Sequence, residues 1–397
     1  MKHALFPFSV RSASARTAAA RSAFIRYIRA CASVLLSAAL ISCRPVPDAG
    51  GDTEITLVTY NAQTFFDSVT EGSEFREFRK ADWNEGLYRT RLERLAGTLS
   101  AAAAIPDTEE KPAASGLTEF LQSLRRFAAA GRKLPDIAVL QEIENEEVLR
   151  DLTAFLPVPD FYPHILFVPA GKGSAFSTGI LSVFPVASCT IHSIQDKSGV
   201  SLRPAAEVLL ETGSGPLVLF AVHWKSKSGN NGSRGIRAAQ EEVLAARIRV
   251  LQRMKPDVPF LVCGDFNQQP EEFTQLRSLR CAWDFLPAGA GTYFWRGNWE
   301  KIDNIFVSAH FTPGLESGAN RFRIAGDGGL QDRDGAPYAF RIHTGQGFSD
   351  HLPLVFRFRY TTPQPSEARK PAALPNSTAS SLSSGKPSVP IRANSFS

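Results

Sequence analysis

The sequence predicts an α/β domain in which two packed β-sheets lie between outer layers of helix. Short β-rich runs alternate with longer segments of helical apolar spacing, a pattern typical of layered α/β folds. Several of the β-rich runs are apolar on both faces, as expected for strands that are covered on both sides. The chain has 397 residues, of which 43% are hydrophobic, so it is long enough for one large domain or two ordinary ones.

The elements follow in chain order from these patterns. The runs that predict strands are rich in Val, Ile, Leu or Phe, and they are residues 55–60, 137–140, 165–168, 178–182, 206–210, 217–222, 259–263, 301–307 and 352–360. The segments with apolar residues three and four apart predict helices, and they are residues 87–104, 117–130, 146–155 and 234–254. The stretch 106–115 carries two prolines and predicts a loop between the first two helices.

The first 42 residues have the features of an export signal of the lipoprotein type. Six basic residues and no acid precede Cys43, and the apolar run 31–42 suits a signal core but is too short to span a bilayer. The run ends in a pattern similar to a bacterial lipobox, with Cys43 as the predicted lipidated residue. An ordinary signal peptide or a transit peptide is the alternative. Because diacylation supplies stable anchoring, we predict an exported protein, attached to a membrane in the periplasm or at the cell surface, or secreted.

Composition divides the rest of the chain into three parts. Residues 43–53 form a Pro/Gly linker, 54–360 the folded domain, and 361–397 a Ser/Pro-rich tail with too few apolar residues to offset the entropy of ordering. The formal net charge is +5, but the basic leader and a net +3 in the tail leave the body at −4. This charge excludes a strongly basic domain that coats nucleic acid. The five cysteines form no CxxC pair, which excludes a zinc–cysteine module.

Polar side chains collect where the predicted strands meet loops, the positions at which scaffolds usually hold catalytic groups. They are Asn61, Gln141, Glu142, His223, Asp265, Asn267, Asp303, Asp350 and His351. Each has an ordinary structural explanation when taken alone, such as a helix cap, a turn or a core histidine. Together they supply acids for a hard cation, histidines for protons and amides for positioning. Without a thiolate or multi-histidine cluster, this set favours Mg²⁺ over zinc.

The ordered series of these residues resembles the endonuclease/exonuclease/phosphatase superfamily over about residues 54–360. The matching strings are Asn61, Gln141-Glu142, His223, Gly264-Asp265-Phe266-Asn267, Ile302-Asp303 and Ser349-Asp350-His351-Leu352-Pro353. The resemblance implies a four-layered α/β sandwich with two mixed sheets flanked by helices. It also implies an enzyme that hydrolyses phosphodiesters with Mg²⁺, for which Mn²⁺ is an expected substitute.

The resemblance implies roles for the metal side of the site. Glu142 would be the principal Mg²⁺ ligand, and Asn61 would lie beside both the metal and the scissile phosphate. Asp350 would lie near the metal. Arg203 and Lys225 are expected to contact the phosphate or the substrate backbone.

A second group of residues would handle water and protons. Asp265 and Asn267 resemble the pair that positions the attacking water and a phosphate oxygen. His351 would contact the phosphate or act as general base, with Asp303 orienting it. His223 matches a second histidine that is a candidate general acid. The sequence leaves open which group takes the proton of the water.

The string Phe220–Gly229 resembles bacterial extracellular nucleases, which favours an enzyme that cleaves DNA internally, with RNA as a further substrate. We expect the enzyme to be a monomer. The hallmark string of inositol-5-phosphatases is absent before Asp303. A phospholipid or sugar-phosphate phosphodiesterase or phosphatase on the same fold is the alternative within enzymes. A catalytically inactive surface-binding lipoprotein is the alternative outside them, although no matched position is lost.

Overall fold

The computed structural model describes residues 54–361, apart from 70–77, 79, 105–133, 159, 171–175, 197 and 228–232. The predicted leader with Cys43, the linker, the tail beyond residue 361 and the predicted helix at 117–130 lie outside the described residues. No helix in the described part of the chain is long and apolar enough to cross a membrane.

Fourteen strands occur among the described residues. They are β1 (Ile55–Phe65), β2 (Ile137–Ile143), β3 (His164–Val168), β4 (Ser177–Ser182), β5 (Val186–Gln195), β6 (Ser201–Thr212), β7 (Gly215–His223), β8 (Phe260–Asp265), β9 (Arg280–Cys281), β10 (Tyr293–Trp295), β11 (Asn298–Glu300), β12 (Asp303–Val307), β13 (Arg321–Ile324) and β14 (Leu354–Phe358). The helices are α1 (Glu85–Ala103), α2 (Glu146–Phe155), α3 (Ser233–Met254) and the short α4 (Thr312–Glu316).

Twelve of these strands form two mixed six-stranded sheets. The first has the order β13-β14-β1-β2-β4-β3 and the second β5-β6-β7-β8-β12-β9. Each sheet contains one parallel pair, β1 with β2 and β7 with β8, while its other neighbours are antiparallel. Strands β10 and β11 form a separate hairpin. The predicted α/β architecture with two mixed sheets is therefore confirmed.

The main core lies between the two sheets. Side chains at every second position of β1 and β2, such as Leu57 and Val139, are fully buried in the same cluster as Leu219 of β7 and Leu261 of β8. Alternation with a period of two is what a strand imposes, because successive side chains point to opposite faces. Burial of this apolar area is the dominant favourable contribution to folding.

Helices cover the outer faces and complete the four layers. Helices α1 and α2 pack on the first sheet, and α3 packs on the second. Asparagine caps begin both helices of the first sheet: Asn84 accepts a hydrogen bond from Leu87 N–H, and Asn145 accepts one from Val148 N–H. Such caps satisfy backbone donors at a helix start.

The sequence did not predict five of the strands, namely β5, β9, β10, β11 and β13. Strand β5 is mostly exposed and its sequence, VASCTIHSIQ, lacks an apolar face. It is a strand because it forms an antiparallel pair with β6, and this tertiary pairing leaves no local pattern. Strands β9, β10, β11 and β13 have two to four residues each, too short for periodicity to be recognised.

Gly264 provides a local reason for the geometry at the end of β8. Its φ of +144° lies where side chains are rarely found, and a Cβ there would approach the Val222 carbonyl oxygen to 1.9 Å. The glycine therefore allows β7 and β8 to lie close together, immediately before His223 and Asp265.

Candidate active site

The predicted site residues converge at one edge of the sandwich. In β1, β7, β8 and β12, every second side chain points into the core between the sheets. At the site end of each strand, the next position on this face is a polar residue: Asn61, His223, Asp265 and Asp303 respectively. The register places Asp265 beside both His223 and Asp303. All four side chains are buried. The strand pattern thus carries the polar groups from four strands to one place.

Asn61 lies between the carboxylates of Glu142 and Asp265. Its Nδ2 donates to Glu142 Oε1 at 3.2 Å and to Asp265 Oδ2 at 3.0 Å. Its Oδ1 accepts the Gln63 N–H at 2.9 Å. The amide therefore bridges the two carboxylates and holds them close together.

Glu142 departs from the regular strand. Its φ is +63°, a left-handed conformation that is uncommon outside glycine, and the pairing of β2 shifts register around it. The irregularity turns the side chain to the site, where Oε2 accepts the Thr64 N–H at 2.6 Å. Burial raises the pKa of Glu142, and the nearby charge of Asp350 raises it further.

Asp265 has the environment of a carboxylate that binds a proton near neutral pH. Burial, followed by the charge of Asp303, raises its pKa to about 7. Its Oδ1 accepts the Asn267 N–H at 2.8 Å, and Asn267 Nδ2 donates to the Trp224 carbonyl at 3.2 Å. Phe266, between the two polar residues, packs into the outer core, as the alternation predicts.

Asp303 and His351 form a buried pair. His351 Nδ1 lies 2.7 Å from Asp303 Oδ2, which also accepts the Thr292 hydroxyl at 2.6 Å. Burial alone would lower the pKa of His351, but the Asp303 carboxylate reverses this and raises it well above the ordinary value. Asp303 therefore favours the protonated imidazole, whose Nδ1–H donates to Asp303 Oδ2.

His223 is bonded differently from His351. Its Nδ1 lies 3.0 Å from the Phe176 carbonyl, and its Nε2 lies 2.6 Å from Nη1 of Arg203. A carbonyl only accepts and a guanidinium only donates, so Nδ1 carries the proton and Nε2 is the acceptor. Burial and the charge of Arg203 lower the pKa of His223 well below its ordinary value. In this state His223 has no proton on Nε2, and the general-acid role predicted for it has no support in the structure.

The remaining predicted residues surround this centre. Asp350 Oδ1 lies 4.0 Å from His351 Nε2. The Arg203 guanidinium also donates to the Trp224 carbonyl at 2.7 Å and lies 4.3 Å from the centroid of the Phe176 ring. Burial, then the charges of Arg203 and Arg237, lower the pKa of Lys225. Lys225 is therefore near two guanidinium groups.

The acids fit a divalent cation. Asp265, Asp303 and His351 offer ligand atoms within 4.8 Å of one another, but Asp303 Oδ2 already accepts from His351 and Thr292. Glu142 and Asp265, joined through Asn61, both have pKa values raised by burial and by a neighbouring acid. Crowded carboxylates repel one another when they are ionised. A divalent cation that prefers oxygen ligands, such as Mg²⁺, would stabilise their ionised forms.

Three supporting residues were not singled out from the sequence. The Ser349 hydroxyl donates to the Asn61 carbonyl at 2.7 Å, and the Thr292 hydroxyl donates to Asp303. Gln63 Oε1 accepts the N–H groups of Asp350 at 3.0 Å and Phe340 at 2.7 Å. Ser349 lies inside a matched string, so its position was a usable signal. Gln63 has no such signal in the sequence, because its partners Phe340 and Asp350 lie 277 or more positions away.

The fold and the site define a layered α/β protein with clustered buried acids and a buried Asp–His pair. A family model described as the endonuclease/exonuclease/phosphatase family matches residues 59–351. The chain belongs to this family, whose name covers three kinds of enzyme that hydrolyse phosphate esters. No curated protein sequence gives a significant match.

Solved structures of similar fold come from several organisms. Truncated TDP2 from Caenorhabditis elegans is 16% identical, with 78% of this chain and 98% of that chain covered and a TM-score of 0.48. The human Nocturnin catalytic domain with bound sulfate is 18% identical, with coverage of 78% and 95% and a TM-score of 0.44. An endonuclease/exonuclease/phosphatase from Bacteroides vulgatus is 16% identical, with coverage of 77% and 98% and a TM-score of 0.45.

Proposed function

We propose that this protein is an exported, Mg²⁺-dependent phosphodiesterase that cleaves DNA internally, and that Cys43 anchors it to a membrane. The observation that carries the chemistry is that Asp265 and His351, whose pKa values are both raised, offer polar atoms within 4.8 Å of each other near Glu142. The family membership supports phosphate-ester hydrolysis, and the string Phe220–Gly229 supports the nuclease branch. The leader before Cys43 supports export.

Asp265 and His351 divide the proton transfers. With a pKa of about 7, the Asp265 carboxylate can take the proton of the attacking water as its oxygen adds to phosphorus. His351 is held protonated by Asp303, so its Nε2–H can donate to the phosphate or to the leaving oxygen as the P–O ester bond breaks. A carboxylate with a pKa near neutral pH is suited to the base role, and an imidazole that keeps its proton is suited to the acid role.

Other residues would hold the metal and the phosphate. Glu142, with Asn61 and Asp350 beside it, would hold Mg²⁺, which supplies Lewis-acid stabilisation of phosphate charge and orients substrate. Arg203 would stabilise the charge of the phosphate, because its guanidinium is already fixed by His223 and the Trp224 carbonyl. Fixed donors stabilise a transition state without reorganising during the reaction.

A row of rings supports a substrate that contains planar bases. The Tyr293 ring lies 4.9 Å from the His351 ring, and Trp295 stacks on Tyr293 with an interplanar angle of 16°. Trp295 is 52% exposed. The rings of Trp295 and Tyr293 therefore lead from solvent to His351. Aromatic side chains bind nucleic-acid bases by stacking, whereas the body of a phospholipid offers no such plane.

Basic groups beside His223 support a substrate with more than one phosphate. Arg203 lies at the proposed scissile phosphate, and Lys225 interacts electrostatically with Arg203 and Arg237. This local group gives a net-acidic body a short basic strip, and few phosphate contacts are enough for a nuclease that need not bind tightly.

The direct test is supercoiled plasmid incubated with the full-length protein in Mg²⁺ or in chelator. We expect nicked and then linear DNA in Mg²⁺ only. Glu142→Gln and His351→Ala should each lower the rate at least about 100-fold, since each removes metal binding or proton transfer. Matched controls are Glu144→Gln, whose carboxylate accepts the Asp67 N–H instead, and His343→Ala.

Parallel substrates distinguish the alternatives. RNA, sphingomyelin vesicles and bis-p-nitrophenyl phosphate are assayed with the same preparations. Faster metal-dependent cleavage of sphingomyelin than of plasmid would replace the nuclease assignment with a phospholipid phosphodiesterase. Absence of cleavage of every substrate by the wild-type protein would favour a surface-binding protein. Full activity of Glu142→Gln or His351→Ala would contradict the assignment of the site.

A further inference from the structure

A buried arginine on α1 lies behind the site and contacts none of the proposed reacting groups. Arg91 is 2% exposed, and burial lowers the pKa of its guanidinium to about 9. Its carbon lies 4.5 Å from the centroid of the Phe65 ring and 4.0 Å from that of Phe340. A buried charge has a large desolvation cost unless it is well paired, so its partners indicate what it does.

The partners of Arg91 are three successive carbonyls at the end of β1. Nη2 donates to the Ala62 carbonyl at 2.8 Å and also to the Gln63 carbonyl, and Nη1 donates to the Thr64 carbonyl at 2.9 Å. A planar guanidinium spreads several donors in a fixed geometry, which an ammonium cannot do. Arg91 therefore fixes the direction of three consecutive peptide groups.

These peptide groups have a conformation that the chain would not adopt by itself. Gln63 has a φ of +54° and Thr64 a φ of +48°. A left-handed conformation is unfavourable for any residue other than glycine. It persists when surrounding contacts impose it, and the three hydrogen bonds from Arg91 are contacts of this kind.

The turn that Arg91 holds is hydrogen-bonded to both acids proposed for the metal. The Thr64 N–H donates to Glu142 Oε2 at 2.6 Å, and the Gln63 side chain accepts the N–H of Asp350 at 3.0 Å. The charges of Glu142 and Asp350 also act on Arg91 and raise its pKa against the effect of burial. Hydrogen-bond geometry and charge thus connect one guanidinium to the two acids.

We infer that Arg91 is a positioning residue for the metal site: through the 62–64 turn it fixes the relative placement of Glu142 and Asp350. The inference rests on the proposed metal-dependent function. Residues that orient metal ligands in this way typically change metal affinity 10–100-fold when they are replaced.

The chain offers a matched control at the far end of the same helix. Arg357 is 7% exposed and its Nη2 donates to the Ala103 carbonyl of α1. It lies on β14 opposite Thr56, at the start of β1 rather than at its site end. Arg91→Lys and Arg357→Lys therefore each remove a buried guanidinium that donates to backbone carbonyls. Arg91 has three such partners at the site, and Arg357 has one that is remote from it.

The experiment measures Mn²⁺ binding to the full-length protein by calorimetry, together with unfolding temperatures in chelator. We expect Arg91→Lys to weaken Mn²⁺ binding about 10–100-fold, and Arg357→Lys to leave it within about threefold while lowering the unfolding temperature. In plasmid cleavage, Arg91→Lys should raise the half-saturating Mg²⁺ concentration by a similar factor and leave the rate at saturating Mg²⁺ within about threefold.

Two results would overturn the inference. If Arg91→Lys and wild type bind Mn²⁺ equally, Arg91 serves stability alone, and the proposed function is unaffected. If wild type binds no Mn²⁺ and Mg²⁺ has no effect on cleavage, the metal-dependent function and the inference fail together. Should Arg91→Lys not fold, Gln63→Ala tests the same turn, because it removes the acceptor of the Asp350 N–H, and weaker Mn²⁺ binding is again expected.

Discussion

Among single residues, His223 shows how a hydrogen-bond pattern can decide a chemical role. Glutamine at position 223 offers an amide oxygen to Arg203 and cannot take up a proton at neutral pH. Because Nε2 acts as an acceptor here, we expect His223→Gln to reduce the rate of cleavage by less than about tenfold, the loss of roughly one hydrogen bond. The pH–rate profile should keep its shape.

His351→Gln is the comparison for this prediction, since that variant removes the proposed proton donor and should abolish one limb of the profile. The measurement is kcat against pH for the three proteins. A loss of more than 100-fold in His223→Gln, with disappearance of the alkaline limb, would instead identify His223 as the general acid.

The raised pKa of Asp265 lets us predict how the unfolding free energy of the metal-free protein depends on pH. Its pKa is about 7 in the folded state, against about 3.9 for an unfolded aspartate. The folded protein therefore retains a proton that the unfolded chain releases. The resulting stabilisation is complete below about pH 4 and is lost as pH rises through about 7, by up to roughly 4 kcal/mol.

Denaturant unfolding in chelator from pH 4 to pH 8 measures this effect. Asp265→Asn should reduce the fall in unfolding free energy. The raised pKa values of Glu142 and His351 have the same sign, so part of the slope remains. Saturating Mg²⁺ should flatten the wild-type curve, because a cation favours ionised carboxylates. An equal slope in Asp265→Asn and wild type would refute the assignment.

Among the elements, the strands show which parts of the site can be predicted from sequence. Asn61, Asp265 and Asp303 continue a period of two that begins in the core, so their convergence follows from the alternation. Glu142 would point away from the site in a regular strand. It reaches the site because Glu142 itself has a left-handed backbone conformation, and the sequence has no glycine there to indicate one. Arg91 lies on a helix whose sequence gives no sign that it binds carbonyls of β1.

The β10–β11 hairpin carries a prediction about substrate class. Trp295 is exposed, stacks on Tyr293, and makes no hydrogen bond to the proposed catalytic groups. We expect Trp295→Ala to lower kcat/KM for single-stranded DNA about 5–100-fold, because base stacking contributes about 1–3 kcal/mol. Cleavage of bis-p-nitrophenyl phosphate, which has no nucleobase, should change less than about twofold.

Phe294 supplies a control on the same hairpin, since its ring packs against Trp299 instead. Phe294→Leu retains an apolar side chain and should leave both substrates unaffected. If Trp295→Ala cleaves DNA as fast as wild type, the row of rings does not bind bases. If that variant loses binding to sphingomyelin vesicles instead, the hairpin serves a lipid surface.

For the whole molecule, apolar patterning and charge are informative at different levels. The two-sheet architecture was predictable because buried strands on both sides of a core leave long apolar runs. Total charge was not sufficient, because a body at −4 still holds Arg203, Lys225 and Arg237 near one another. Their proximity joins β6, the loop after β7 and the start of α3, which no local pattern connects.

The sequence before the folded body carries the last prediction, which concerns where the molecule acts. If the apolar run ending at Ser42 is a lipoprotein signal, Cys43 becomes the acylated first residue and two chains hold the protein on a membrane. We expect Cys43→Ser, in the full-length chain expressed in a bacterium, to abolish incorporation of labelled palmitate and to remove the protein from the membrane fraction. Cys31→Ser, a substitution in the same leader, should label and fractionate like wild type. Labelled palmitate retained in Cys43→Ser would show that the anchor lies elsewhere, and no label in the wild-type protein would indicate an ordinary export signal.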